Sequence, residues 1–516
     1  METDCIEKIK PRLEGFFRDC LRSYSACRYA DLRIQWEETR WATAEDGKPR
    51  GSGRDVGCSV GIRVLAGDGL SAPGYWGGML SAEADGATIE DELKRGIDHA
   101  YHRAAANARR KSEAAGSWGE LGRSLQDIPL APAEVHRDTV PAAYRVHPLS
   151  VSLKDIQGLV FEVSHGIRDL SSRIRFHDVS AYTQFLRHLF VSTEGAFIDQ
   201  SFAFTQGGLY VVAGGKEGTQ ESYEVLGDQA GWEVLSEGAN SHGMDLKTFA
   251  RSLSREALDL ADAPPLKSTE KEVVVVTDPH YNTLLSHEIL GHPSEADRIL
   301  KYETAYAGRS WFFRNLSEHY IGKQIASPLV GAFSDPSLPG YGHYKYDHEG
   351  VRGKRVAHIE KGILKGFMNS RQTAAILGME ANGSYTATDP VYVPLIRMST
   401  TVFAPGDRPP EEIIREVDDG YYFAGMRTPS ISESRENFNI TARKVYRIRR
   451  GELRELYRNG GITADSGSFL MQVDAVGNDF KIYPVPNCGK GQPMQTKRLG
   501  NGGPTLRSRA RLTGGA

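Results

Sequence analysis

His287-Glu288-Ile289-Leu290-Gly291-His292 carries the residue types of a zinc hydrolase within six consecutive positions. Two imidazoles can ligate Zn²⁺, and the carboxylate beside the first can take a proton from water. The spacing is HExxxH. Residues four apart share a helix face, but five apart stand about 140° out of register on a 3.6-residue period. For both histidines to reach one ion the helix must bulge or break between them, and Gly291 is the residue expected to permit it. A hydrolytic zinc also needs a third protein ligand and one open position. Of the five cysteines only Cys488 lies beyond residue 58. It sits in Asn487-Cys488-Gly489-Lys490-Gly491-Gln492, read as a glycine-rich turn whose lysine favours a thiolate. The same residue could equally be a small apolar core cysteine. Glu295 and Asp297 could orient the free ring nitrogen of His292, or stand exposed on a helix.

The elements around these residues set how they are held. Lys271-Glu272-Val273-Val274-Val275-Val276 predicts a buried strand, and Asp278 with Pro279 predicts an N-cap and N1 proline for the helix carrying both histidines. Upstream, residues 6 to 26 have helical apolar spacing, and Ala30 to Trp36 and Ser59 to Leu65 alternate as half-buried strands do. A long alanine-rich helix is expected at 88 to 112, a surface linker at 113 to 150, and antiparallel meanders at 180 to 227. A helix at 245 to 261 is closed by Ala263-Pro264-Pro265. The fold class expected is α+β in two domains with mixed or antiparallel sheets. An N-terminal domain spans 1 to 262, and a C-terminal domain bearing the metal helix spans 268 to 516.

Bulk properties exclude several classes. A 516-residue chain that is 25% charged and 40% hydrophobic is composed like an ordinary soluble protein. A formal charge of −3 argues against a protein built broadly for nucleic acid. The N-terminus lacks the pattern of a signal peptide, and no apolar run suits a membrane span. An odd set of cysteines, four of them near one end, does not resemble a disulfide framework, so a reduced cytoplasmic protein is expected. One asymmetry remains. After Asp479 there is no acidic residue, while Lys481, Lys490, Lys497, Arg498, Arg507, Arg509 and Arg511 are basic. That pattern suits substrate carboxylates or another anionic partner, or a terminal segment balancing acidic surface elsewhere.

The stretch from His287 to Asp297 resembles the HExxxH core of the TldD/PmbA family of metallopeptidases. Asp347-His348-Glu349-Gly350-Val351, Glu360 to Met368, Ile396-Arg397-Met398-Ser399 and Val476-Gly477-Asn478-Asp479-Phe480 resemble it in the same order, as does the ending at Cys488. The likeness begins near Tyr29 and is densest from 273 to 500. It implies that His287, His292 and Cys488 bind Zn²⁺, with Glu288 as general base, as in the catalytic TldD-type chain. It also implies peptide or unfolded-protein substrates and a homodimer or a heterodimer with a TldE/PmbA-like subunit that lacks the metal motif. A noncatalytic peptide-binding or regulatory subunit is the alternative. Arg397 is a candidate for stabilising the oxyanion, or else a structural ion-pair residue. The glycine-rich 331 to 353 region and Tyr421-Tyr422-Phe423 are candidate substrate walls.

Overall fold

The computed structural model describes residues 4–81, 84–306, 308–315 and 318–515. Three sheets organise the chain. The first is built from long strands, β1 (Cys27–Glu45), β2 (Lys48–Ala66), β3 (Ala72–Leu80), β4 (Arg137–Val140), β5 (Ile174–Ser192), β6 (Phe197–Gly215) and β7 (Gly218–Asp228). Its order is β3-β2-β1-β5-β6, with β4 parallel to the first part of β6 and β7 antiparallel to the rest. The β1–β2 hairpin turns through Asp46 and Gly47, both at positive φ, as a tight two-residue turn requires. Helices α1 (Cys5–Leu21), α2 (Gly86–Ser117), α3 (Leu153–Arg168) and α4 (Leu246–Asp262) cover one face of this sheet.

Strand periodicity decides what faces the other way. Leu32 and Ile34 pack under the helices, so Arg33, Gln35 and Glu37 point to the opposite face. Most of that face is covered, and the half-buried expectation for Ala30 to Trp36 does not hold. Arg33 is fully enclosed, donating to the Tyr392 carbonyl at 2.9 Å and lying 3.1 Å from His348 Nδ1. The C-terminal half of the chain covers the polar face, which an alternating pattern alone does not foretell. Residues 113–150 are also more ordered than a plain linker. They finish α2, form a short helix at Gly119–Arg123 and add β4 to the sheet.

Beyond residue 270, β8 (Val273–Thr277), β13 (Asp419–Ile431), β14 (Asn437–Arg449), β16 (Gly460–Asp465) and β20 (Leu506–Gly514) close into a ring in the order β13-β8-β20-β16-β14. β15 (Glu452–Tyr457) lies outside it, and β17 is the two-residue strand Ala475–Val476. A six-stranded sheet stands beside the ring, made of β9 (Ala332–Ser334), β10 (Val356–Glu360), β11 (Ile363–Leu364), β12 (Thr400–Phe403), β18 (Lys481–Lys490) and β19 (Gln495–Gly503). Its order is β11-β10-β9-β12-β19-β18, so β18 is an edge strand. One large apolar core joins the ring to this sheet. The α+β class with mixed and antiparallel sheets is therefore observed.

The cysteine expectation needs correction. Cys5 on α1 and Cys58 on β2 are joined by a disulfide, 53 residues apart in sequence. Packing of α1 against the sheet brings them together, which spacing alone does not reveal. Cys20, Cys27 and Cys488 are free.

Candidate metal centre

The segment after β8 is a short α-turn, Asn282–Leu285, followed by a π-helical turn at Ser286–Gly291 and a 3₁₀ turn at His292–Ser294. The helical turns begin later than predicted: Asn282 is the first α-helical residue, so Pro279 is not N1, and Asp278 instead accepts from the Tyr281 amide at 2.6 Å in the turn that leads in. The bulge demanded by HExxxH is the π turn, in which the His292 amide donates to the His287 carbonyl five residues back. The wider turn restores both histidines to one face, with ring centroids 4.7 Å apart. Carbonyls displaced from the regular ladder find other donors. Trp311 Nε1 donates to Ile289 at 3.1 Å, and Ser294 Oγ donates to Leu290 at 2.7 Å.

Gly291 serves a different purpose from the one expected. Its backbone is ordinary right-handed helix, but an added Cβ would overlap Met398 Sδ. The glycine is there for close approach, not conformational freedom.

Cys488 completes the cluster. His287, His292 and Cys488 each offer a ligand atom, all within 4.8 Å of one another, and Cys488 Sγ lies 3.5 Å from His292 Nε2. The cysteine stands on edge strand β18, opposite Lys497 of β19, rather than in a turn. The ladder is irregular between Val485 and Cys488. Burial pushes the Cys488 thiol up, but His287, His292 and Arg397 together hold it well below its usual value. Lys490 is not the thiolate's partner. Its ammonium is enclosed by Glu295 at 3.0 Å, Asp297 at 2.7 Å and the Ile396 carbonyl at 2.7 Å.

The groups behind the histidines select their outward nitrogens. His292 Nδ1 lies 3.0 Å from Glu295 Oε2, and His287 Nδ1 lies 3.1 Å from Asn501 Oδ1. Asn501 Nδ2 donates to the Thr401 carbonyl at 2.9 Å, which turns its oxygen toward His287. Each Nδ1 thus faces its partner and each Nε2 faces the centre. Burial lowers the His287 pKa, but Cys488 and Glu288 raise it to about 9, so its Nε2 carries a proton that a bound ion would displace. Glu295 and Asp297 are buried, not exposed, and only Glu295 touches His292. Two imidazoles and a thiolate are a donor set that suits Zn²⁺, so the residues present fit that ion.

Glu288 lines the same cavity of about 430 Å³ as His287, His292 and Cys488. Its carboxylate is ion-paired with Arg435. Burial acts to raise its pKa, but Arg435, His287 and His292 hold it below the ordinary value, so Glu288 is ionised. Arg435, with φ +62°, sits in the turn between β13 and β14, with its backbone oxygen accepting from Ser466 Oγ at 2.8 Å. Sequence reading missed both Arg435 and Asn501. Neither lies at a motif spacing from the histidines, and the only signal for Asn501 is its place in the glycine-rich run Gly500 to Gly503.

The remaining candidates divide. Arg397 is enclosed and donates to the carbonyls of Gln495 at 3.0 Å and Cys488, bracing the two strands without lining the cavity. Tyr421, Tyr422 and Phe423 lie on β13 and do not line the metal cavity. From the 331–353 region, Tyr341 to Tyr344, Tyr346 and His348 do line a second cavity of about 540 Å³. Its opposite wall is the polar face of the first sheet, including Gln35, Glu37 and His188. Tyr223, Pro486 and Asn487 belong to the walls of both cavities, so the second adjoins the metal cavity.

Comparison with known proteins identifies the family. Residues 270–511 match the model of the PmbA/TldA metallopeptidase C-terminal domain, and 146–262 match that of the central domain. A Methanocaldococcus jannaschii metalloprotease is 27% identical over 488 residues, covering 94% of this chain and 97% of that relative. A Methanothermobacter thermautotrophicus metalloprotease is 31% identical over 346 residues, 67% of this chain and 70% of that relative. A zinc metalloprotease TldD homologue of Saccharolobus solfataricus is 27% identical over 69% of this chain and 74% of that relative. Among solved structures, TldE from Thermococcus kodakarensis superimposes with a TM-score of 0.67 at 17% identity, covering 97% of this chain and 99% of that one. The chain belongs to the TldD/PmbA family of metallopeptidases.

Proposed function

We propose that this chain is a zinc-dependent peptidase of the TldD type, acting on peptides or unfolded polypeptides. The observation that carries the reading is the convergence of His287, His292, Cys488 and Glu288 on one cavity. Zinc bound by those three ligands would polarise a peptide carbonyl and make water more acidic. Glu288 is then the base. It is ionised, held by Arg435, and placed to take a proton from water and return it to the leaving amine. Asn501 and Glu295 keep the two imidazoles aimed. A scaffold or a purely structural zinc has no need of a carboxylate beside the ligands.

Edge strand β18 offers the substrate platform. Val485 to Gly489 line the metal cavity on a strand paired on one side only. An extended peptide laid there would be held through its backbone, with little demand on its side chains. Two domains, 1–262 and 268–516, a cytoplasmic location and pairing with a like chain or a TldE/PmbA-like subunit complete the reading. The likeness to TldE supports the pairing.

The test combines metal analysis with peptide turnover. Wild-type protein is expected to carry about one zinc per chain and cleave peptides from a mixed pool. Glu288→Gln should keep the metal and lose roughly 10²–10⁴-fold in rate, the scale of general-base catalysis. Turnover that survives Glu288→Gln, or a zinc-loaded wild type that cleaves nothing, would remove the peptidase reading.

A further inference from the structure

Two basic side chains, Lys497 and Arg498, line the second cavity without a direct ion pair. Lys497 Nζ donates to the Met398 carbonyl at 2.9 Å and lies 4.8 Å from the Tyr344 ring centre. Arg498 Nε donates to Tyr182 Oη at 3.1 Å, with its guanidinium over the rings of Tyr182 and Phe204. Among the described residues no carboxylate lies within ion-pair distance of either. Of the acids in the same cavity, Glu37 acts on Arg498 only from beyond ion-pair distance. Glu37 accepts from Gln184 at 3.2 Å and Gln35 at 3.3 Å, and Asp389 accepts from Ser59 Oγ at 3.0 Å and the Val391 amide at 2.8 Å.

Several other basic residues of this chain are treated differently. Lys490 has Glu295 and Asp297, Arg298 has Glu295, and Arg443 has Glu224 and Glu256. Arg33 and Arg397 lack carboxylates, but they are fully enclosed, donate to carbonyls and line neither cavity. Lys497 and Arg498 instead face a cavity. Two basic groups on one cavity wall without a direct ion pair suit an anion. Burial, with Arg397 nearby, lowers the Lys497 pKa to about 7, and a bound anion would hold it charged.

Position narrows the ligand. Lys497 is the direct cross-strand partner of Cys488, and the cavity shares Tyr223, Pro486 and Asn487 with the metal cavity. A chain lying along β18 past Cys488 can deliver its end there. A volume of about 540 Å³ suits a short peptide end, and the wall of Tyr182, Phe204 and Tyr341 can cover its last side chains. We propose that the second cavity is a carboxylate-binding site that takes the free C-terminus of a peptide, with Lys497 and Arg498 pairing to the terminal carboxylate. The identity of the ligand as a peptide rests on the proposed peptidase function. The case for an anion does not.

The test uses zinc-loaded Glu288→Gln protein, so that bound peptide is not consumed. An N-acetylated tetraalanine is titrated calorimetrically as its free acid, as its amide, and as an amide carrying one internal aspartate. A charge-assisted pair predicts the acid binding about 10- to 100-fold tighter than the amide, with the aspartate-containing amide no better than the plain one. Lys497→Met and Arg498→Met should each shrink the acid–amide difference while zinc content and amide affinity stay unchanged. Equal binding of acid and amide would overturn the proposal without need of either variant. Equal binding of the acid and the internal aspartate would overturn the C-terminal assignment in favour of a side-chain carboxylate. Acid–amide discrimination in a protein whose wild type hydrolyses nothing would sink the peptidase reading and leave the anion site standing.

Discussion

Asn501 holds His287 by the edge of the ring that faces away from the metal centre. Its amide nitrogen is committed to the Thr401 carbonyl at 2.9 Å, so its oxygen meets His287 Nδ1 at 3.1 Å. The two contacts commit Nδ1 to Asn501 and leave Nε2 as the nitrogen turned toward His292 and Cys488. Asn501→Ala removes the acceptor without touching a ligand. Its zinc affinity, measured by chelator competition, should fall about 10- to 100-fold, the usual cost of losing such a partner. Unchanged affinity would show that the ring is oriented by packing alone.

Arg435 is a positioning residue for Glu288. Replacement by methionine leaves the carboxylate in a buried cavity without its counter-charge, favouring the neutral acid that cannot accept a proton. We expect kcat to fall roughly 10- to 100-fold with zinc content and KM near wild type, on the scale of one charge-assisted contact. Arg435→Lys should recover part of the rate. A loss expressed only in KM, or accompanied by loss of zinc, would assign Arg435 another role.

The Gly291–Met398 contact predicts a stability effect with a designed rescue. Gly291→Ala should cost about 1–3 kcal/mol through overpacking, read from the urea midpoint at constant m-value. Adding Met398→Ala removes the overlapping sulfur and should return part of that loss. Additive destabilisation in the double variant would place the cause in the π turn itself.

His188 predicts a pH dependence of stability. It stacks on His348 at 4.3 Å, and burial, with Arg33 nearby, pushes its pKa down to about 3. The folded chain therefore keeps it neutral where the unfolded chain protonates near pH 6.5. Its contribution is fully present above pH 6.5 and is lost as pH falls toward 3, at about 1.4 kcal/mol per pH unit. Between pH 7 and pH 5 His188→Gln should lose roughly 2 kcal/mol less stability than wild type. Parallel losses in the two proteins would show that His188 does not titrate differently on unfolding.

The chemistry of the centre was legible from the chain, because residue type carries it. Two imidazoles, a carboxylate and a late cysteine state what ion can bind, and the five-residue spacing of His287 and His292 demanded a distorted helix, which is the π turn. Local periodicity likewise disclosed α1, α2, α4 and the strands at β1, β2 and β8. Other features depended on residues far apart in sequence and were decided only by the tertiary structure. Asn501 reaches His287 across 214 positions, Arg435 reaches Glu288 across 147, and Cys5 meets Cys58 across 53. The basic run after Asp479 shows the same limit. Sequence reports its charge, but only packing determines that Lys490 is neutralised inside the core while Lys497 and Arg498 face a cavity. Periodicity records local geometry, whereas desolvation and charge pairing depend on which distant segment covers a given face.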